Sequence, residues 1–272
     1  MSGEILSRAE KEGITYFFLP RWETLGFIQH GFSSRQGGIS RAPFDDLNLG
    51  YKGGDRPEAV QENRRRFLGL WGKKVQDLFY GKQVHAARVS LVDRKNFSTG
   101  SKELPAVDAL ITRERGVVLG AFSADCLLVF FLDPEIPALG LAHAGWRGTL
   151  MGVVPGVVQA MQENFATRVE SLQILMAPAI QACCYEVGGE VLKAADASRW
   201  KADLVFLPGT KAGHPYLDLQ KTNKNMLRRL GIKTENIFIS NYCTHCNPDL
   251  FYSYRRAGGK MTGSQMGIFF LR

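Results

Sequence analysis

Three residues of types that bind transition metals stand at the ends of segments with strand-like sequence. His85 closes FYGKQVH, Cys126 opens CLLVFFL, and His143 closes LGLAHAG directly before the turn GWRG. The spacing of Cys126 and His143 suits one strand, a short turn and a return strand. One thiolate and two imidazoles form a three-ligand zinc set that leaves a fourth coordination position for water or substrate. The pattern therefore indicates a catalytic zinc site, because a structural zinc usually takes four protein ligands.

The same three residues support two other interpretations. Cysteine is among the most buried residue types, so the side chains are also compatible with ordinary core positions. Cys126 can alternatively act as a nucleophile with His143 as its base, as in a metal-free cysteine hydrolase. No CxxC or i, i+3 pair links the three residues, so spacing alone leaves these alternatives open.

Polar residues beside this trio are candidates for proton transfer and anion binding. Asp125 precedes Cys126 directly and can carry a proton or support a ligating histidine. Arg147 and Gly148 lie where a strand meets the start of a predicted helix, a junction whose backbone N–H groups and positive end favour phosphate. The alternative for Arg147 is a surface salt bridge.

Three further residues are weaker candidates for substrate contacts. Arg35 lies in the glycine-rich segment SSRQGG, which lacks the GK[ST] ending of a phosphate-binding P-loop. Arg64 belongs to a charged helical run that is typical of a solvated face. Asn48 in NLG can contact substrate or hold a turn.

The four remaining cysteines form two short motifs. Cys243 and Cys246 form a CxxC pair, which is a weak indication of zinc or redox chemistry when no second pair accompanies it. Cys183 and Cys184 are adjacent, and we expect that two adjacent cysteines cannot easily chelate one metal ion together.

Composition limits the classes of partner. The chain has 34 basic and 26 acidic residues and a net charge of +8, which can steer anions to its surface. A basic adaptor for nucleic acid is a third hypothesis, disfavoured because no groove-binding motif accompanies the charge. The polar N-terminus and the lack of an apolar run of membrane-spanning length predict a cytoplasmic protein with reduced thiols and no membrane partner.

The elements that must position these residues alternate irregularly along the chain. Helices are predicted from Pro57 after a cap at Asp55, from near Thr149, over 186–198, and over 218–230 after a cap at Asp218. Strands are predicted at 14–20, 26–32, 79–85, 87–93, 107–112, 117–122, 126–132, 138–143 and 171–178, and in IFISNY and MGIFFLR. Consecutive strands dominate the centre, which favours α+β layers over a doubly wound sheet, in one domain over residues 1–272.

A series of motifs runs in order from Gly31 to the C-terminus: HGFSSRQGGIS, NLG, KQVHAARV, VDALIT, SADCLLVFF, LAHAGWRG, APAIQACCYEVG and CTHCN with FYSYRRAGG. Together they resemble the family first called multicopper polyphenol oxidases or laccase-domain proteins. That family is now regarded as zinc-dependent purine nucleoside phosphorylases and includes the bacterial peptidoglycan editing factor.

The resemblance implies that His85, Cys126 and His143 are the zinc ligands. It also implies a four-layer α/β/β/α sandwich similar to a bacterial toxin's cysteine-hydrolase domain. The implied activities are phosphorolysis of adenosine, inosine and methylthioadenosine, and deamination of adenosine. The peptidoglycan-editing role of relatives, removal of a wrong amino acid from a cell-wall precursor, is compatible with zinc or cysteine-nucleophile chemistry.

The copper-oxidase label fits this sequence poorly, because multicopper sites need many more histidines than the five present. Copper can still replace zinc in a Cys/His site, since it binds such ligands more tightly. The chain also departs from the family pattern twice. The motif GPAIG is replaced by Ala177–Gln181, and Ser264 stands where the family's TGRQ motif has arginine, which removes an anion contact that the arginine would make.

Overall fold

The computed structural model describes residues 5–93 and 103–272. Fifteen strands are assigned in these ranges. In chain order they are β1 (Ser7–Lys11), β2 (Ile14–Phe18), β3 (Ile28–Ser33), β4 (Leu78–Gly81), β5 (Val89–Leu91), β6 (Glu103–Leu104), β7 (Ala109–Thr112), β8 (Val118–Ser123), β9 (Leu127–Asp133), β10 (Ala138–Ala144), β11 (Gln173–Met176), β12 (Phe206–Lys211), β13 (His214–Leu217), β14 (Ile237–Ile239) and β15 (Gln265–Leu271).

Six α-helices accompany these strands in the described ranges. They are α1 (Pro20–Glu23), α2 (Pro57–Gly69), α3 (Trp146–Met151), α4 (Val153–Phe165), α5 (Gly189–Asp196) and α6 (Leu219–Arg229). No helix in the described part of the chain is both long and apolar enough to cross a membrane.

The strands form two large sheets and one hairpin. The seven-stranded sheet has the order β1-β2-β3-β15-β8-β4-β6, and the six-stranded sheet has the order β14-β11-β9-β10-β7-β5. Both sheets are mixed. In the seven-stranded sheet β4 pairs parallel with β8 while β15 pairs antiparallel with β3 and β8, and in the six-stranded sheet β11 pairs parallel with β14 while β10 pairs antiparallel with β9. The hairpin consists of β12 and β13. This mixed α/β arrangement agrees with the expectation of layered strands and helices without a regular βαβ repeat.

Buried side chains connect the sheets and helices in three main clusters. One contains side chains of both large sheets, including Phe269 of β15 and Phe130 of β9. A second packs the opposite face of β9 against α4, with Phe131 and Met161 among its members. In the third, α2 contributes Phe67 to the other face of the seven-stranded sheet. Strand β9 is buried on both faces, which explains its apolar run from Leu127 to Leu132.

Two helix predictions are corrected by the backbone. The helix expected near Thr149 begins at Trp146 and stops at Gly152, whose φ of 83° ends α3 before α4 begins. Asp55 does not cap α2, because Arg56 occupies the N-cap position and Asp55 instead accepts the N–H of Arg56. The cap at Asp218 is confirmed, since its carboxylate accepts the backbone N–H of Lys221 at 2.8 Å.

Candidate metal centre and active-site cavity

The pairing of β9 with β10 brings Cys126 close to His143. In this antiparallel register Leu127 lies opposite Ala144 and Leu128 opposite His143. Cys126 immediately precedes Leu127, so both candidate ligands lie at the same end of the strand pair. The return-strand interpretation of their spacing is therefore confirmed.

His85 reaches the same place from a loop. The strand that was expected to end at His85 stops at Gly81, and His85 has a φ of 61°, an uncommon value for a non-glycine residue. The carboxylate of Asp108 holds this conformation by accepting three consecutive backbone N–H groups, those of residues 84, 85 and 86, at 2.9–3.1 Å.

Asp108 also orients the second histidine. Its Oδ1 lies 2.9 Å from Nδ1 of His143, and both side chains are buried. Because the carboxylate accepts a proton donated by Nδ1, Nε2 is the ring nitrogen that the neutral form of His143 offers to a metal ion. A carboxylate behind a histidine in this way fixes the tautomer that metal ligation requires.

The donor atoms of the trio suit one transition-metal ion. Cys126 Sγ lies 4.0 Å from His85 Nε2, and one donor atom from each of the three residues falls within 4.8 Å of the others. A Cβ added at Gly145 would lie 2.9 Å from Cys126 Sγ and 3.0 Å from His85 Cδ2, so the glycine leaves room for both ligands. A soft thiolate with two imidazoles fits zinc or copper better than magnesium or calcium.

Electrostatics favours the charged forms of the Cys126–His143 pair. Burial raises the pKa of Cys126, but the two imidazoles outweigh it and lower the pKa to about 6. Burial lowers the pKa of His143, but the Cys126 thiolate and Asp108 outweigh it and raise the pKa to about 9. At neutral pH Cys126 is therefore a thiolate, the form that binds metals or acts as a nucleophile.

The trio lies in the wall of a cavity of about 740 Å³. That volume is within the usual range of small-molecule sites. Basic residues outnumber acidic ones along its wall, which favours an anionic ligand. The charged residues that line it, histidines excluded, are Lys52, Arg64, Arg147, Arg255, Lys260, Glu103, Asp125 and Cys126.

Arg64 is buried and faces this cavity, which corrects the expectation that its helical run is a solvated face. Its side chain is enclosed by the rings of Tyr51, Tyr80 and Phe122, whose centroids lie 4.2–4.9 Å from Cζ. Nε donates to the carbonyl of Leu49 at 2.8 Å. No carboxylate in the described ranges forms an ion pair with Arg64. A buried cation without a counter-ion is costly, so the arrangement favours an anionic ligand in the cavity.

Arg147 also lines the cavity, but its guanidinium contacts Glu190 at 2.5 Å in an exposed ion pair. Arg147 therefore forms the surface salt bridge that was its alternative interpretation. Exposed ion pairs of this kind contribute little to stability. Gly148 does not line the cavity. It lies inside the short helix α3, where a Cβ would come within 3.1 Å of the carbonyl of Ala86. Because Gly148 has no side chain, α3 can lie close to the loop that carries His85.

Arg35 and Asn48 do not line the cavity either. The guanidinium of Arg35 packs on the ring of Tyr252 and donates to the carbonyls of Asp45 and Pro248. Asn48 accepts the backbone N–H groups of Gly50 and Ser264, at 3.0 and 2.9 Å. Asn48 therefore holds a turn, which is one of the two roles predicted for it. Its partner Ser264, by contrast, lines the cavity.

Asp125 is buried in the cavity wall and has a φ of 103°. Its carboxylate accepts the hydroxyls of Thr244 and Ser253 and the backbone N–H of Arg255. Burial raises the pKa of Asp125 despite these donors. Asp125 therefore connects the loop that carries Cys126 to residues 244–255. The carboxylate that supports a candidate histidine ligand is that of Asp108.

Asp108 was missed as a functional residue by sequence reasoning. It lies in the segment VDALIT, which carries part of the family resemblance, so the sequence did offer a reason to consider it. Nothing local in that segment indicates that its carboxylate reaches both His143 and the His85 loop.

A family model matches residues 29–272, and it describes a multi-copper polyphenol oxidoreductase laccase. The chain belongs to this family. The purine nucleoside phosphorylase YlmD of Bacillus subtilis is 34% identical over 242 residues, covering 88% of this chain and 86% of the relative. Adenosine deaminase RL5, from an unknown prokaryotic organism, is 30% identical over 243 residues, covering 88% of this chain and 92% of the relative.

Solved structures show the same fold. The crystal structure of YlmD from Geobacillus stearothermophilus matches with a TM-score of 0.88 and 30% identity, and the match covers 99% of each chain. The Bacillus licheniformis protein YfiH matches with a TM-score of 0.87 and 28% identity, over 97% of this chain and 98% of the other. The chain is thus similar to named enzymes across most of its length.

Proposed function

We propose that this chain is a zinc-dependent purine nucleoside phosphorylase, acting on adenosine, inosine and methylthioadenosine, that also deaminates adenosine. The observation that carries the proposal is the convergence of His85, Cys126 and His143 in a cavity that also presents Arg64. Relatives named as phosphorylases and as a deaminase support the same reaction classes.

In this proposal His85, Cys126 and His143 hold the zinc ion. The chemistry that zinc supplies there when bound is Lewis acidity beside the substrate. The protein prepares for this by fixing its ligands in advance. Asp108 holds the tautomer of His143 and the backbone of the His85 loop, and Asp125 anchors the loop that carries Cys126.

The cations of the cavity wall are proposed to bind phosphate. Arg64 is the strongest candidate, because it is desolvated and has no ionic partner among the described residues, so an anion would satisfy it. Arg147 can join it by leaving its exposed contact with Glu190. The position of Ser264 in the wall means that the arginine expected there in the family is replaced by a neutral hydroxyl. Phosphate binding in this chain therefore rests on the other cations.

Phosphorolysis also needs a proton carrier, because the departing purine gains a proton. The carboxylate of Asp125 lines the cavity and its pKa is raised by burial, which favours a proton-carrying role. Its three hydrogen-bond donors favour a positioning role as well. We propose that its anchoring of the loop is the larger contribution.

The experiment is to incubate purified, zinc-loaded protein with inosine in the presence and absence of phosphate. Release of hypoxanthine that depends on phosphate, together with ribose 1-phosphate, supports phosphorolysis. Release of hypoxanthine without phosphate indicates hydrolysis, and no release from metal-containing protein rejects the proposal. Ammonia release from adenosine measures the deaminase activity separately.

A second candidate is a cysteine-nucleophile hydrolase that edits peptidoglycan precursors. The observation in its favour is that Cys126 and His143 lie together, with one donor atom of each within 4.8 Å of the other, as a metal-free nucleophile and its base would. The neighbouring imidazoles also lower the pKa of Cys126. Elemental analysis of the parent protein beside a His85→Ala/His143→Ala variant separates the two candidates, since zinc that is lost with the trio favours the first and an active metal-free protein favours the second.

We also propose an architecture for the chain. It forms one domain over residues 1–272, and its sheets and helices stack as a four-layer α/β/β/α sandwich. We propose that this sandwich is similar to the cysteine-hydrolase domain of a bacterial toxin. A cytoplasmic location, with small-molecule partners and neither nucleic acid nor membrane, remains a prediction.

A further inference from the structure

The four cysteines outside the trio lie together. One Sγ atom from each of Cys183, Cys184, Cys243 and Cys246 falls within 4.8 Å of the others. Cys184 Sγ is 3.3 Å and Cys183 Sγ 3.7 Å from Cys246 Sγ. All four thiols are free. The adjacent pair thus points into one cluster, although adjacent cysteines were not expected to chelate one metal ion easily.

These spacings suit a tetrahedral zinc ion. Zn–S bonds of about 2.3 Å place the four sulfur atoms of such a site about 3.8 Å apart, close to the separations observed here. We propose that Cys183, Cys184, Cys243 and Cys246 bind a second zinc ion through four thiolates, in a structural site separate from the His85–Cys126–His143 trio. Zinc would displace the thiol protons to solvent.

The backbone already holds both loops in place. Ala179 and Cys243 form a parallel bridge, in which Thr244 donates its N–H to the carbonyl of Ala179. The Cys184 N–H closes a turn by donating to the carbonyl of Gln181. Binding would therefore need only small adjustments of the four side chains.

Hydrogen bonds and nearby charges favour thiolate at this place. The backbone N–H of Gln181 points at Cys243 Sγ at 3.5 Å. Arg256 donates to the carbonyls of Thr244 and His245 inside the CxxC turn, so a cation lies beside the cluster to offset its charge.

A divalent ion would stabilise each coordinated thiolate directly, which offsets the repulsion between four thiolates held this close together.

The site would stabilise one wall of the cavity. Thr244, within the CxxC turn, donates to Asp125, and Tyr185, which follows Cys184, lines the cavity. None of the four cysteines is among the residues that line it. A four-thiolate zinc has no open coordination position, so its role is to tie the 183–184 loop to the 243–246 loop.

The test compares two double variants purified under reducing conditions with zinc. Cys183→Ser/Cys246→Ser removes half of the proposed ligands, and His85→Ala/His143→Ala removes two ligands of the trio instead. We expect each variant to hold about one zinc per chain fewer than the parent protein. Equal zinc content in the parent and the Cys183→Ser/Cys246→Ser variant would overturn the proposal.

A second measurement does not depend on the folding of the cysteine variant. The His85→Ala/His143→Ala variant is loaded with cobalt, and its spectrum should show strong thiolate-to-cobalt charge transfer and the visible bands of a tetrahedral four-sulfur site. Absence of these bands, or a mass lower by two hydrogens for each disulfide in the zinc-treated protein, would contradict a zinc site. Neither result depends on turnover. The proposal of a four-thiolate zinc site can therefore fail while the phosphorylase proposal stands, and the phosphorylase proposal can fail while the zinc site stands.

Discussion

Asp108 and His143 are joined by a hydrogen bond of 2.9 Å between Oδ1 and Nδ1, and both side chains are buried. Burial raises the pKa of Asp108, but His143 and the N–H groups of Ala86 and Val84 outweigh it, so the carboxylate remains ionised. One carboxylate therefore sets the direction of two candidate metal ligands, His143 through its ring and His85 through its backbone.

Replacing Asp108 by Asn should weaken metal binding roughly 10- to 100-fold, the usual effect of removing a carboxylate behind a ligating histidine. The amide offers one acceptor where the carboxylate offers two, and its NH₂ group would face backbone N–H donors. Chelator competition measures the affinity, and circular dichroism checks the fold. Unchanged affinity in a folded variant would show that Asp108 does not orient the ligands.

Gly145→Ala should displace the ligands by steric contact alone. Its φ of −70° suits any residue, but the new Cβ would lie 2.9 Å from Cys126 Sγ. Overpacking of this kind costs about 1–3 kcal/mol, so metal affinity should fall roughly tenfold to a hundredfold. Gly69→Ala, at a helical position with nothing within 4 Å of the added Cβ, is the matched control and should bind metal normally. Equal affinity in both variants would place the metal elsewhere.

Arg64→Met should raise the KM for phosphate roughly 10- to 100-fold, because a hydrogen bond to a charged group contributes about 1.5–3 kcal/mol. Methionine keeps the bulk between the aromatic rings and removes the charge. Arg65→Met is the matched control, since Arg65 is the next residue of α2 and pairs with Glu62 at the surface. The KM for inosine should change little in both variants. A phosphate KM that stays the same in Arg64→Met would remove Arg64 from the anion site.

Protonation of His30 should destabilise the protein below neutral pH. Burial lowers the pKa of His30 from 6.5 to about 3, and its Nε2 accepts the backbone N–H of Leu19 at 2.8 Å. The unfolded chain therefore binds the proton first, and stability present above pH 6.5 is lost as the pH falls toward 3. Between pH 7 and 5 the loss is about 2 kcal/mol.

The measurement for His30 is denaturant unfolding of metal-free protein at pH 7, 6 and 5. His30→Gln keeps an acceptor for Leu19 but cannot ionise in this range, so its free energy of unfolding should depend less on pH. Parallel curves for the two proteins would show that His30 does not cause the acid sensitivity.

The sequence predicted the features that depend on local pattern. Strands β9 and β10 were expected within a residue of their ends, because both have continuous apolar sequence and a turn between them. The cap at Asp218 was also predicted, since capping depends on contacts within one turn. The pairing that brings Cys126 to His143 follows from these two strands alone.

Features that depend on long-range contacts were not predicted. Strand β15, at the C-terminal end, lies between β3 and β8, which no local pattern indicates. The hairpin β12–β13 was missed, because most of its residues are exposed and it has little apolar periodicity. Arg64 was a weak candidate for a substrate contact, because its charged neighbours are typical of a solvated face, and only the tertiary fold shows the three rings around it.

The central claim is that the His85–Cys126–His143 trio holds the zinc that turnover requires. The most direct test is phosphorolysis of inosine by protein stripped with a chelator, checked by elemental analysis, and then titrated with zinc. We predict that hypoxanthine release disappears with the metal, returns with added zinc, and does not return in Cys126→Ser. Full activity in protein shown to be free of metal would contradict the claim and favour Cys126 as a nucleophile.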